Sequence, residues 1–239
     1  MVDACKLCGA QSALVPRSHV VPQWMYALLP HDGRPMKIAS SHLGEFEKKS
    51  PTGIYGKFVC QTCENLFSRW DDHAAIVLRR APTSTGGGWD YGAFSYGDLT
   101  RFYLSVLWRA SACGHQFFET VDLGHRAAVL AKALLSTNDT DLAEFEVWPS
   151  CSAHLYACGL LPPIEVPIES VPYWQIYMPK FQAQIKVAAQ CSAPLVRGEK
   201  LKPDTRLLMW EKSFTECGEV EIVKQVALAN REKKNARRH

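Results

Sequence analysis

No stretch of this 239-residue chain stays apolar long enough to cross a bilayer as a helix, and its start, Met-Val-Asp-Ala-Cys-Lys, joins no basic region to an apolar segment. The expectation is a cytoplasmic protein without a membrane partner. Charge of either sign is scarce as a net quantity. The formal value of +3 is too small to mark a nucleic-acid binder by itself. Two common catalytic signatures are missing as well. Ser84-Thr85-Gly86-Gly87-Gly88-Trp89-Asp90 lacks the lysine of a phosphate-binding Gly-rich loop, and no Gly-x-Ser-x-Gly elbow occurs. These absences disfavour ATP hydrolysis and serine-hydrolase chemistry.

What remains is an ordinary globular composition: 47% hydrophobic, 21% charged, mean hydropathy −0.14. The length suits one large domain or a small module attached to a larger one. Nine cysteines cannot all pair internally, and without an export signal metal ligation or free thiols are favoured over a disulfide framework. Cys113, Cys151, Cys158, Cys191 and Cys217 have no neighbour at ligand spacing and read as small buried hydrophobes.

The other four form two Cys-x-x-Cys pairs, Cys5/Cys8 and Cys60/Cys63. A two-residue gap lets both sulfurs of a pair reach one ion, so four thiolates suit a closed tetrahedral Zn²⁺ site. Such a site would staple a module over residues 1–80. Within it, Pro30–Gly56 reads as a long loop or hairpin. From Thr62, a candidate cap, the pattern is helical, with Leu66, Phe67, Trp70, Ala74, Val77 and Leu78 on one face and an end before Pro82. Residues 81–97, dense in Gly, Ser and Thr, read as a linker or surface loop at a domain boundary.

In the body, 98–239, Asp98 is a candidate cap for a helix carrying Leu99, Phe102, Tyr103, Val106, Leu107 and Ala110. His125–Leu135 reads as a third helix. Beyond Phe145 the aromatic and β-branched runs YWQIYMPKFQAQIKV, RLLMWEK and EVEIVKQVAL predict antiparallel strands. The fold class expected is α+β. The scattered tryptophans read as packing, and Arg231–His239 as a basic tail.

Cys60 closes the apolar run Lys57-Phe58-Val59 and Cys63 opens a helix, while Cys5 and Cys8 sit on a turn. A knuckle, a hairpin and a helix supplying the last ligands make a treble-clef arrangement. With Ser18-His19-Val20-Val21-Pro22 between the pairs, the first eighty residues resemble the HNH (ββα-metal) endonuclease family. SHVVPQWMY, CQTCENLFSRWDD and LSVLWRAS together also resemble an uncharacterised group of bacterial and phage proteins.

The HNH resemblance implies a phosphodiester hydrolase in which His19 is the general base. Glu64, standing where the family has its last histidine, would be a ligand for Mg²⁺ or Mn²⁺. The acidic residue many members carry before the histidine is Ser18 here, and the family's asparagine is missing from Gly53-Ile54-Tyr55-Gly56-Lys57. Asp71, two helical turns beyond Glu64 on nearly the same face, is a second candidate ligand; Asn65 lies about 100° round the helix and His73 is turned away. Arg109 could hold a phosphate or pair with a carboxylate of the zinc module. Each of these residues also has a structural reading: His19 packed beside the knuckle, Glu64 on the helix dipole, Asp71 and Asp72 on a solvated face. The alternative function is a catalytically inactive zinc-finger protein that binds nucleic acid or a protein partner.

Overall fold

The computed structural model describes residues 3–28, 53–152, 161–187 and 198–212, together with the backbone of the strand pair at 37–38 and 48–49. The chain is a mixture of helices and antiparallel and mixed sheets. It opens with short paired strands: β1 (Asp3–Ala4) with β2 (Gln11–Ser12), and β3 (Ser18–His19) with a later partner. A single helical turn, α1 (Gln23–Tyr26), follows. β4 (Lys37–Ile38) pairs antiparallel with β5 (Lys48–Lys49), and β6 (Tyr55–Gly56) returns to pair with β3, Ser18 opposite Gly56 and His19 opposite Tyr55.

Helix α2 (Gln61–Leu78) buries Phe67, Trp70, Ala74, Val77 and Leu78 of the expected stripe, while Leu66 is only half-buried against them. It starts a residue before Thr62, with Cys60 in the cap position, because the turn at the cysteines already sets the backbone for helix entry. Its last turn ends on Arg79, short of Pro82.

Residues 81–97 do more than link. β7 (Thr83–Thr85) and β8 (Gly88–Ala93) form a hairpin around the two-residue loop Gly86-Gly87 and make one edge of a seven-stranded sheet. The glycines that suggested a linker serve the turn and the close approach of β8 to its neighbour: a Cβ on Gly88 would lie 2.2 Å from the Met209 carbonyl oxygen. Helix α3 (Tyr96–Ala112) is capped by Ser95, whose hydroxyl accepts the Asp98 N–H. Asp98, expected as the cap, is instead the third residue of the helix and accepts the Ser95 hydroxyl at 3.0 Å, while the Ser95 N–H goes to His73. Helix α4 (Arg126–Leu135) begins one residue past His125.

The sheet continues with β9 (Glu146–Ser152), β10 (Leu161–Ile168), β11 (Val171–Met178), β12 (Phe181–Lys186) and β13 (Arg206–Lys212), in the order β10-β11-β12-β9-β13-β8-β7. All neighbours are antiparallel except β13 and β9. Alternation sets its two faces. Val147, Trp174, Ile176, Met178, Phe181, Ala183 and Ile185 stand in register on the apolar side, while Glu146, Gln175, Gln182 and Lys186 occupy the other. The expected strand in EVEIVKQVAL, the basic tail, Cys158, Cys191 and Cys217 lie outside the described residues. Cys113 and Cys151 are buried, as expected.

Helix α3 is buried nearly all round, from Leu99 to Ala110, and packs against α2, α4 and the sheet. Among the described residues, the main apolar core runs from Cys5 and Phe58 through Trp70 and Leu104 to Ile185 and Met209, so the cysteine-bearing segment and the sheet share an interior, and a small second cluster forms around Tyr173.

Candidate metal centre

The first knuckle is a tight turn. Gly9, at φ +74°, donates its N–H to the Cys5 carbonyl at 2.8 Å, and Cys5 donates to Ala10 at 2.9 Å. Lys6 N–H to Phe58 and Val15 N–H to Val59, at 2.9 and 2.8 Å, tie this turn to the strand-like run ahead of Cys60. The second pair lies across the entry to α2. The two knuckles are thus clamped together by backbone hydrogen bonds before any sulfur contact is considered.

The result is a cluster in which the Sγ atoms of Cys5, Cys8, Cys60 and Cys63 all lie within 4.8 Å of one another. None is in a disulfide. Cys8 Sγ and Cys60 Sγ are 3.8 Å apart. Four sulfurs at a Zn–S distance of about 2.3 Å stand about 3.8 Å apart on the edges of a tetrahedron, so the spacing fits the ion. Three of the four are buried, and Cys8 is exposed. The electrostatics also ask for a cation. Burial raises the Cys5 thiol, but N–H groups of Cys8, Cys60 and Leu7 outweigh it and hold the group down at about 7. Cys63 is pushed far above the ordinary thiol range by burial and by the sulfurs around it. A divalent ion removes that conflict by letting all four be thiolates.

Next to this centre stands the β3–β6 pair. Ser18 has no exposed surface, and its hydroxyl donates to Glu64 Oε2 at 2.5 Å. Glu64 is in the first turn of α2, directly after Cys63, and its other oxygen has no hydrogen bond among the described residues. His19 is half-buried. Its ring meets the edge of Tyr55 at 5.9 Å, over which the Arg17 guanidinium stacks at 4.1 Å, and it makes no hydrogen bond among the described residues.

Asp71 faces the same region but is fully engaged. Arg109 donates Nη1 to Oδ2 at 2.9 Å and Nη2 to Oδ1 at 2.7 Å. Burial pushes the Asp71 carboxyl up from its ordinary value, against the pull of Arg109 and of the His19 imidazole. Of the two roles open to Arg109, the carboxylate pair is the one formed.

The remaining candidates lie elsewhere. Asn65 is exposed and accepts from Gln61 at 2.8 Å. His73 accepts the Ser95 N–H at 3.1 Å. His115 caps a 3-10 turn through Nδ1, and His125 precedes α4. Sequence reading missed the Ser18–Glu64 bond and the Arg17–Tyr55 stack. The first has no local signal, since its partners are 46 residues apart. Among the described residues no helix is long and apolar enough to cross a membrane. No protein-family model, curated protein or solved structure matches the chain.

Proposed function

We propose that the chain is a metal-dependent, HNH-like nuclease that hydrolyses phosphodiester bonds of nucleic acid. His19 is its general base and Glu64 its ligand for Mg²⁺ or Mn²⁺. A separate Zn²⁺ on Cys5, Cys8, Cys60 and Cys63 staples a treble-clef module. The observation that carries this reading is the Ser18–Glu64 hydrogen bond, which ties the strand of the candidate base to the helix turn that follows the last cysteine.

The donor chemistry is adequate. Mg²⁺ keeps several waters and is held in many enzymes by one or two carboxylates plus substrate phosphate, so one unshared Glu64 oxygen suffices. Asp71 is not the second ligand in this reading, because the guanidinium of Arg109 occupies both its oxygens and opposes a cation there. Instead its negative charge, which already attracts the His19 imidazole, stabilises the imidazolium formed when His19 takes a proton. As the general base of this reading, the His19 ring, which makes no hydrogen bond among the described residues, is open to an attacking water. When bound, the divalent cation supplies electrostatic stabilisation of charge on the phosphoryl oxygens.

The test is cleavage of supercoiled plasmid and single-stranded RNA by the zinc-loaded protein with Mg²⁺ or Mn²⁺. His19→Ala should lower the rate by about 10²–10⁴-fold, and Glu64→Ala should abolish the metal-dependent cleavage, each variant keeping its zinc. Cleavage that survives His19→Ala, or none by the wild type, overturns the reading. A catalytically inactive zinc protein that binds nucleic acid or a protein partner would then stand in its place.

A further inference from the structure

We infer that Arg109 is a positioning residue for His19, acting from the body of the protein on the candidate base; this rests on the nuclease reading above. Arg109 is 1% exposed, yet every N–H of its guanidinium has an acceptor. Nε donates to the Ser105 carbonyl at 3.3 Å, and Nη1 to the His19 carbonyl at 3.2 Å and Asp71 Oδ2 at 2.9 Å. Nη2 donates to Asp71 Oδ1 at 2.7 Å and Ser105 Oγ at 3.0 Å. The Phe67 ring lies beneath it, 4.9 Å from centroid to guanidinium carbon.

These partners come from three elements. Ser105 is on α3, Asp71 and Phe67 are on α2, and the remaining acceptor is the backbone of His19 itself on β3. A planar, delocalised fork holds such a set at fixed angles. A lysine ammonium, with three donors and no plane, cannot reproduce it.

The geometry separates positioning from simple bracing. β3 is two residues long and pairs with the two residues of β6, the contact extended only by the Val20 N–H to the Ile54 carbonyl at 3.0 Å, so Arg109 adds an anchor from the body directly on the His19 backbone. Arg109 holds that backbone by its carbonyl. The same side chain orients Asp71, whose charge reaches the imidazole. Misplacement of a reacting group by about 1 Å costs on the order of 10²-fold in rate. Loss of the fork therefore falls on the chemical step and spares substrate binding, which Arg109, being buried, does not touch.

The experiment measures kcat and KM for Mg²⁺-dependent cleavage of a short duplex by wild type, His19→Ala, Arg109→Lys and Ser105→Ala, with zinc content and thermal melts as controls. Arg109→Lys should keep its zinc and lower kcat about 10–100-fold with KM within about twofold. Ser105→Ala, which removes one acceptor and leaves the ion pair intact, should lower kcat several-fold; it carries the test if the lysine variant does not fold. Wild-type kcat in a folded Arg109→Lys, or in Ser105→Ala should the lysine variant fail, overturns the inference while leaving the nuclease reading standing, provided His19→Ala is inactive. An inactive wild type, or an active His19→Ala, overturns both.

Discussion

Ser18 and Glu64 join through a 2.5 Å hydrogen bond that spans 46 residues of sequence, from a fully buried hydroxyl to a partly exposed carboxylate. In the HNH resemblance, position 18 is where many members have an acidic ligand. Here a donor stands in its place and orients the one carboxylate that follows the last cysteine. Removing it by Ser18→Ala should destabilise the protein by about 1–2 kcal/mol, since water can only partly replace a buried hydrogen bond to a charged acceptor. Urea unfolding midpoints with unchanged zinc content would check this. A variant as stable as wild type would mean that the bond is not formed in solution.

The cysteine cluster predicts one zinc per chain. Cys60→Ser should lose the ion, and chelation of the wild type should loosen the knuckles, read as new protease cleavage within residues 3–28 and 53–60. The pH sign follows from the thiols. Zinc needs thiolates, and Cys63 is raised by burial and its sulfur neighbours, so binding releases protons and affinity falls as pH falls. Metal analysis after dialysis at pH 5 and at pH 8 should find less zinc at pH 5. Equal retention at both would contradict the cluster.

The four cysteines were legible because metal chemistry imposes a spacing that sequence displays directly. The stripe of α2 was legible for a similar reason: Phe67, Trp70, Ala74 and Val77 repeat at the helical period and face one core. The hairpin of β7 and β8 was hidden because Gly86 and Gly87 signal a tight turn and a flexible linker equally well, and only the partner strand β13 decides between them. The same limit applied to Asp71 and Arg109. Their residue types allowed a metal ligand, a phosphate clamp or an ion pair, and the choice depended on how α2 and α3 cross.

His73 links those two helices in a way that pH should reveal. Its Nε2 accepts the Ser95 N–H at 3.1 Å, just ahead of α3, and burial lowers its pKa from the ordinary value although Asp98 pulls the other way. A histidine lowered in the folded state binds fewer protons there than in the unfolded chain. Its contribution to stability is complete above about pH 6.5 and is lost as pH falls through the lower folded-state value. Unfolding free energy measured between pH 7.5 and 5 should therefore decline in wild type and decline less in His73→Gln. Parallel curves for the two proteins would show that the Ser95 contact does not depend on neutral His73.

Gly53 governs how the chain returns to the His19 strand. It sits at φ +91°, and a Cβ there would fall 2.4 Å from Tyr26 Cε2 and 2.8 Å from Cζ, atoms of a rigid ring with little room to move. The next residue, Ile54, donates its N–H to the Tyr26 hydroxyl at 3.1 Å, and the Tyr26 phenol, pushed up to about 12 chiefly by burial, stays neutral. β6 follows at once, with Tyr55 opposite His19. Gly53→Ala combines backbone strain of about 1 kcal/mol with overpacking of about 1–3 kcal/mol, so a loss of about 2–4 kcal/mol is expected. Tyr26→Phe keeps the ring, removes only the acceptor and should lose about 1–2 kcal/mol. Gly53→Ala combined with Tyr26→Ala relieves the collision, so its loss should be smaller than the sum of the two single losses. Strict additivity in that double-mutant cycle would show that the ring does not press on Gly53. Because Gly53 stands two residues ahead of Tyr55, the partner of His19, the nuclease reading expects Gly53→Ala to bind zinc as wild type does while cleavage falls through a displaced His19. Loss of zinc in step with activity would place the strain at the knuckles instead.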